Sequence, residues 1–258
     1  MIDILQINKF SKLHDGQNII FCKTDYLMSE FEAIKKINND VILISGNSDY
    51  VIDENIIKFL PKNCKKWYGQ NVVVDSEIVK CLPLGLENSF ISYRGDFHGV
   101  GYDYVKIKEN SINNFTDRVP NKFIYSNFNV QTNFNHRFPI KQISNEIVFI
   151  DWCEPNLSIE KFFDDILDYE AVICPDGNGP DTHRFYETLY MGRIPIIFNK
   201  IMYNNLYNMF PVVFLDDINL LRNYEYMKEK IDIAKNKQWN KKVLTSEYWM
   251  DEIKSNLN

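Results

Sequence analysis

The sequence is poor in the residues that build loop-rich or stapled folds. Its 258 positions hold 10 glycines and 9 prolines, too few for a collagen-like, low-complexity or turn-dominated chain. The five cysteines, Cys22, Cys64, Cys81, Cys153 and Cys174, are odd in number and form no Cys-x-x-Cys pair, which argues against a zinc ribbon and a disulfide framework and for a reducing compartment. No run of about 18 apolar residues is present, so no transmembrane segment is expected. The first residues (MIDILQINKFSK) lack the apolar core and small-residue cleavage site of a secretion signal, and a cytoplasmic protein is expected. Basic charge is also in deficit. With 29 Lys and Arg against 35 Asp and Glu, a net charge of −6 and a pI near 5.3, the chain does not read as a nucleic-acid binder working by phosphate neutralisation. Asp-x-Asp occurs nowhere, so a carboxylate pair of that spacing for holding a divalent ion is missing.

What is present is a cored, aromatic-rich chain: 45% hydrophobic, 14% aromatic and 25% charged, close to the average for globular proteins. The charge is uneven. Residues 151–187 carry ten acids against two bases, whereas 222–242 carry seven bases against three acids; the latter reads as a solvated lysine-bearing helix or as a contact for an anionic surface.

Short apolar runs recur at 19–22, 41–45, 66–68, 72–74 and 81–84, and again at 123–126, 147–151, 171–174, 194–198 and 212–215. Helical patterns fall between them at 25–37, 53–60, 134–143, 159–167, 182–191 and 201–208. Strands apolar on both faces and joined by helices predict parallel sheets covered on both sides, the α/β class. The polar, strand-poor stretch 87–120 is too long for a loop inside a compact domain and reads as insertion plus linker. It divides the chain into lobes at 1–120 and 121–258, and the last 40 residues read as helices able to pack across both.

The densest motif is the segment AVICPDGNGPDTHRFYETLYMGRIPIIF, residues 171–198. Its pattern is a buried strand, a glycine-bearing turn, a helix capped by Asp181 or Thr182, a stop at Gly192 and a further strand. In an open parallel sheet, ligands bind at the carboxyl ends of strands, beside helix N-termini suited to phosphate. Arg184 in the first helical turn can clamp a diphosphate, and Glu187, one turn on, can accept a ribose diol. The alternative is an exposed i,i+3 ion pair worth a few tenths of a kcal/mol. An anionic ligand in so acidic a segment calls for a second arginine. Arg137 is the candidate, with Asn127, Thr132 and Asn133 as donors and acceptors after the strand 123–126, or as turn and cap residues. His183 reads as a loop or cap residue, and His14 and His136 as structural or exposed.

The run GNGPDTHRFYETLYMGRIPII, residues 177–197, resembles the donor-site motif of exostosin-like glycosyltransferases, where an Arg and a Glu three residues later precede a small-residue turn and an Ile-Pro strand. The likeness is strongest over 121–198; the segments ISGNSD (44–49), KWYGQN (66–71) and LPLGLEN (82–88) are more weakly similar to small members of that family. The resemblance implies a GT-B fold, two Rossmann-like lobes with parallel sheets facing across a cleft, and inverting transfer from a nucleotide-diphosphate sugar without a metal. Asn178, Gly179, Asp181 and Thr182 join Arg184 and Glu187 in its donor site. A UDP-sugar is favoured and a GDP-sugar is the alternative, with a glycan hydroxyl as acceptor and no cofactor beyond the co-substrate. The chain is far shorter than animal exostosins and lacks their anchor, so a stand-alone unit, monomeric or weakly dimeric, is expected.

Inverting transfer needs a base for the acceptor hydroxyl. Asp49, after the strand 41–45, is the first candidate for catalysis, with Glu87 and the pair of Asp96 and His98 as alternatives; Asn47, Glu87 and His98 are expected on the acceptor side. Asn-Ser-Asp is equally a turn composition. Trp67, Tyr68 and Tyr93 read as acceptor-stacking or as core aromatics. Two other classes remain: a sugar-nucleotide epimerase on the same plan, which needs no acceptor, and a glycan- or nucleotide-binding module without turnover.

Overall fold

The computed structural model describes residues 2–89, 91–93 and 96–257, with 91–93 and 96–98 described by their backbone alone. The first half forms a four-stranded sheet of β1 (Ile19–Lys23), β2 (Val41–Gly46), β3 (Cys64–Gly69) and β4 (Val79–Cys81), ordered β1-β2-β3-β4 and parallel throughout. Every residue of β2 is buried. The sequence VILISG carries no polar alternation because both faces of the strand are covered.

The helices α1 (Leu27–Ile34) and α2 (Glu54–Ile57) connect these strands. Asp53 caps α2 through the amides of Asn55 and Ile56. The apolar run at 72–74 does not become a strand: Asn71 takes a left-handed turn (φ 58°) directly after β3, and Val72 is left with a single bridge to Ile52. The last strand of this sheet also starts earlier than the run 81–84, at Val79, and Pro83 has no N–H to extend the ladder.

Between the halves the chain forms an antiparallel hairpin, β5 (Ile91–Tyr93) with β6 (Asp96–His98), then α3 (Tyr102–Asn114). The stretch read from sequence as insertion plus linker thus contains a 13-residue helix.

The second half forms a five-stranded parallel sheet of β7 (Lys122–Ser126), β8 (Ile150–Trp152), β9 (Tyr169–Ile173), β10 (Ile194–Ile197) and β11 (Val213–Phe214), in the order β11-β10-β9-β7-β8. The helices α4 (Phe134–Glu146), α5 (Ile159–Ile166), α6 (His183–Tyr190) and α7 (Lys200–Asn205) link its strands. Each apolar run expected in this half contributes to a strand, because a contiguous apolar run marks a parallel strand without its partner in view.

The terminal helices divide between the sheets. In α8 (Tyr224–Lys235), Met227, Ile231 and Ala234 pack into the core of the second sheet. From α9 (Ser246–Lys254), Trp249 and Ile253 enter a core that contains the strands of the first sheet. The Ser246 hydroxyl donates to the Ile4 carbonyl, and the Asn256 amide donates to the Tyr68 hydroxyl. That core runs without a break from Ile4 and Leu43 through Tyr125 and Val172 to Phe185, Tyr207 and Trp249, so buried side chains of both sheets form one cluster. No helix among the described residues is long and apolar enough to cross a membrane.

Candidate functional site

In the second sheet β7 is followed by β8 on one side and by β9 on the other. The chain therefore reverses its direction of travel between β7 and β9, and the crevice at their carboxyl ends is where open α/β sheets bind ligands. The loops leaving β7 and β9 supply Phe128, Asn129 and Thr132, and Pro175, Gly177 and Asn178, to a cleft of about 330 Å³. The opposite wall comes from the strand ends of the first sheet, through Ser48, Asp49, Gln70, Leu84 and Glu87. Both sheets thus present their carboxyl edges to one cavity.

Among the described residues, two arginines line it. Arg137 of α4 is buried, and its guanidinium donates to the carbonyls of Asp176 (2.7 Å) and Asn129 (2.8 Å). Among the described residues it has no carboxylate partner within ion-pair distance. Burial and the neighbouring Arg184 charge lower its pKa to about 10, so it remains a cation at neutral pH. An unpaired buried charge costs several kcal/mol unless an opposite charge arrives.

Arg184 lies across the ring of Phe162, 3.8 Å from its centroid. Its Nε donates to Glu187 Oε2 (3.1 Å) and its Nη1 to the Asn127 carbonyl (2.6 Å), while Nη2 has no hydrogen-bond partner among the described residues. Thr182 stands at the N-cap of α6 without a side-chain cap bond, so the positive end of that helix adds to the same field.

Glu187 does not form the exposed pair that spacing alone allowed. Its side chain is 4% exposed; one oxygen takes Arg184 and the other takes the Lys108 ammonium of α3. Lys108, 6% exposed, also pairs with Glu87. The result is a buried ionic chain, Glu87–Lys108–Glu187–Arg184, that joins the first half, the central helix and the donor-type motif. Burial alone would raise the Glu87 carboxyl, but the charges of His183 and Lys108 outweigh it and hold it at about 2. The two carboxylates raise the Lys108 ammonium against the opposing effect of burial.

Asp181 lines the cleft and is also a structural hub. It accepts from the amides of Leu84 (2.8 Å) and Thr182 (2.9 Å) and from the hydroxyls of Tyr186 (2.7 Å) and Tyr207 (2.8 Å). Burial raises its pKa although each of these donors opposes the rise. Gly179 approaches the first half so closely that a Cβ there would lie 2.8 Å from Asn71 Nδ2.

The remaining expected residues separate into two groups. Asn178, Thr132 and Asp49 line the cavity, and Asn178 reaches across it to donate to Asp49 Oδ2 (3.3 Å). Asn127, Asn133 and Asn47 support it instead. Asn127 donates to the carbonyls of Cys153 and Glu154 (3.1 Å each), Asn133 to Gly177 (2.9 Å), and Asn47 accepts from Asn88 (2.9 Å) while 2% exposed. Trp67 and Tyr68 are core residues, not acceptor platforms: Trp67 packs edge-on to Phe31, and its indole donates to Ser45. The side chains of His98 and Tyr93 lie outside the described residues. Sequence reasoning passed over Lys108 and read His183 as a loop or cap residue. For Lys108 the available signal was a lysine on the otherwise apolar 105/112 stripe of α3.

No family model matches the chain, and no curated protein does. The site is therefore read from its own geometry. Among the described residues no three His, Cys, Asp or Glu side chains gather as metal ligands would.

Proposed function

We propose that the chain is an inverting glycosyltransferase of GT-B type, taking a nucleotide-diphosphate sugar in the cleft between its sheets. The observation that carries this reading is the Arg137–Arg184 pair at the crossover crevice of the second sheet. Among the described residues Arg137 has no carboxylate partner and Arg184 keeps Nη2 unengaged, and the uncapped start of α6 lies beside them. A diphosphate supplies the missing negative charge and accepts paired hydrogen bonds from guanidinium groups. Each Glu187 oxygen holds one cation and retains a second lone pair for a ribose hydroxyl. The first-sheet wall, with Asp49 and Glu87, faces the sugar and its glycan acceptor. UDP is the favoured nucleotide and GDP the alternative, with the charge of the leaving group met by the arginines and no metal required.

Thermal-shift titration with UDP, GDP and their sugars tests the reading. One nucleotide should stabilise the wild-type chain selectively, and Arg184→Ala and Glu187→Ala should each weaken that binding at least tenfold and abolish turnover. Wild-type affinity in both variants would sink it.

A further inference from the structure

His183 opens α6 beside Arg184, yet the two side chains are held by different halves of the molecule. Arg184 is tied to Asn127 and Phe162 in the second half. The His183 ring is tied to the first half: its Nδ1 lies 2.7 Å from the carbonyl oxygen of Gly85. A carbonyl oxygen only accepts, so Nδ1 carries the proton, and in the neutral ring Nε2 is left with a bare lone pair. Among the described residues Nε2 makes no hydrogen bond, and it is not among the buried polar atoms that lack a partner; His183 itself lines the cleft.

The tautomer is thus fixed by backbone, as a base requires. Gly85 holds that carbonyl in place because its own conformation is left-handed (φ 71°) and a Cβ would collide with Leu5. Charged groups line the same cleft as the ring, from several elements. Glu87 follows β4, Lys108 of α3 is paired to Glu87, Asp181 precedes α6, and Arg184 follows on the same helix. Asp49, by contrast, is exposed and already accepts from Asn178.

We propose that His183, through Nε2, is the general base that deprotonates the acceptor hydroxyl. This deepens the glycosyltransferase reading and rests on it. The acceptor oxygen forms its bond to the anomeric carbon as its proton passes to Nε2. The anomeric C–O bond to the diphosphate breaks, its electron pair leaves with the diphosphate, and the imidazolium later returns its proton to water.

The test is His183→Asn, whose side-chain amide keeps a donor for Gly85 while removing the titrating nitrogen. The readouts are UDP and GDP binding by thermal shift, and release of the nucleotide from the bound sugar donor with water or p-nitrophenyl glycosides as acceptor. Nucleotide affinity should stay within about twofold, and turnover should fall by about 10²–10⁴ with loss of the acidic limb of its pH profile. Binding and turnover both near wild type would overturn the assignment, because the ring would then act only as a tether. No nucleotide binding or no release by the wild-type chain would overturn the glycosyltransferase reading and this one with it.

A second measurement stands if the variant fails to fold. Diethyl pyrocarbonate should carbethoxylate His183 of the wild-type chain, bound nucleotide should slow it, and hydroxylamine should restore the lost turnover. Full turnover with His183 modified would also refute the role.

Discussion

Lys108→Met removes the centre of the ionic chain while keeping much of the apolar stem. In the wild type the ammonium is 6% exposed and stands between Glu187, 4% exposed, and Glu87, 19% exposed. Its loss leaves Glu187 with Arg184 alone and Glu87 with no ion-pair partner, and breaking a buried pair in this way costs about 3–5 kcal/mol. For a domain of this size that corresponds to a fall in Tm on the order of 10 °C. The sign of the pH dependence follows from Glu87. Its folded-state pKa of about 2 lies below the ordinary value of about 4.3. Its contribution is therefore present above the ordinary value and is lost as pH falls through about 2. The gap between wild type and variant should be widest near neutrality and close in acid.

Differential scanning calorimetry from neutral pH into that acid range reads both quantities. Adding Glu87→Gln to the variant should recover part of the loss, giving a coupling of about 0.5–3 kcal/mol. A Tm within about 2 °C of wild type, less than one kcal/mol for such a domain, or a gap that ignores pH, would refute the reasoning.

Two further outcomes are expected. Asp181→Asn places an amide N–H₂ where four donors converge, stranding at least one of them at about 1–3 kcal/mol each; chemical denaturation should show the loss, and an unchanged midpoint would contradict the hub role. On the proposed reading, dialysis against EDTA should leave turnover within about twofold, because arginines and a helix terminus would take the place of a Lewis acid at a diphosphate. Loss of activity restored by a divalent ion would contradict metal independence.

How much of this was legible in the sequence follows from the range of the interactions. The run VILIS of β2 could be read because burial on both faces leaves a contiguous apolar signature. Arg184 and Glu187 could be paired on paper because one helix face sets their spacing, and Arg137 was expected from the charge that Arg184 alone could not supply. Helix α3 was not legible. Its buried stripe is Val105, Lys108 and Ile112, so a charge interrupts the period that marks an amphipathic helix. Lys108 finds its meaning only in partners 21 and 79 residues away. The same holds for His183, whose partner Gly85 is 98 residues distant. A sequence shows which groups are able to ionise or donate; it does not show which distant carbonyl fixes a tautomer.

The unbroken core that links the two sheets bears on how the cleft admits its contents. A hinge between rigid halves needs an interface that parts readily, and interfaces of that kind are small and polar. Here Tyr125, Val172, Phe185 and Tyr207 belong to the same apolar cluster as Leu43 and Trp67, so opening the sheets like a book would expose core to water. Heat should melt both sheets in a single calorimetric transition. Scattering should record almost no change in radius of gyration on addition of the nucleotide proposed for the cleft, with the adjustment left to the loops at 47–49 and 176–180 on either lip.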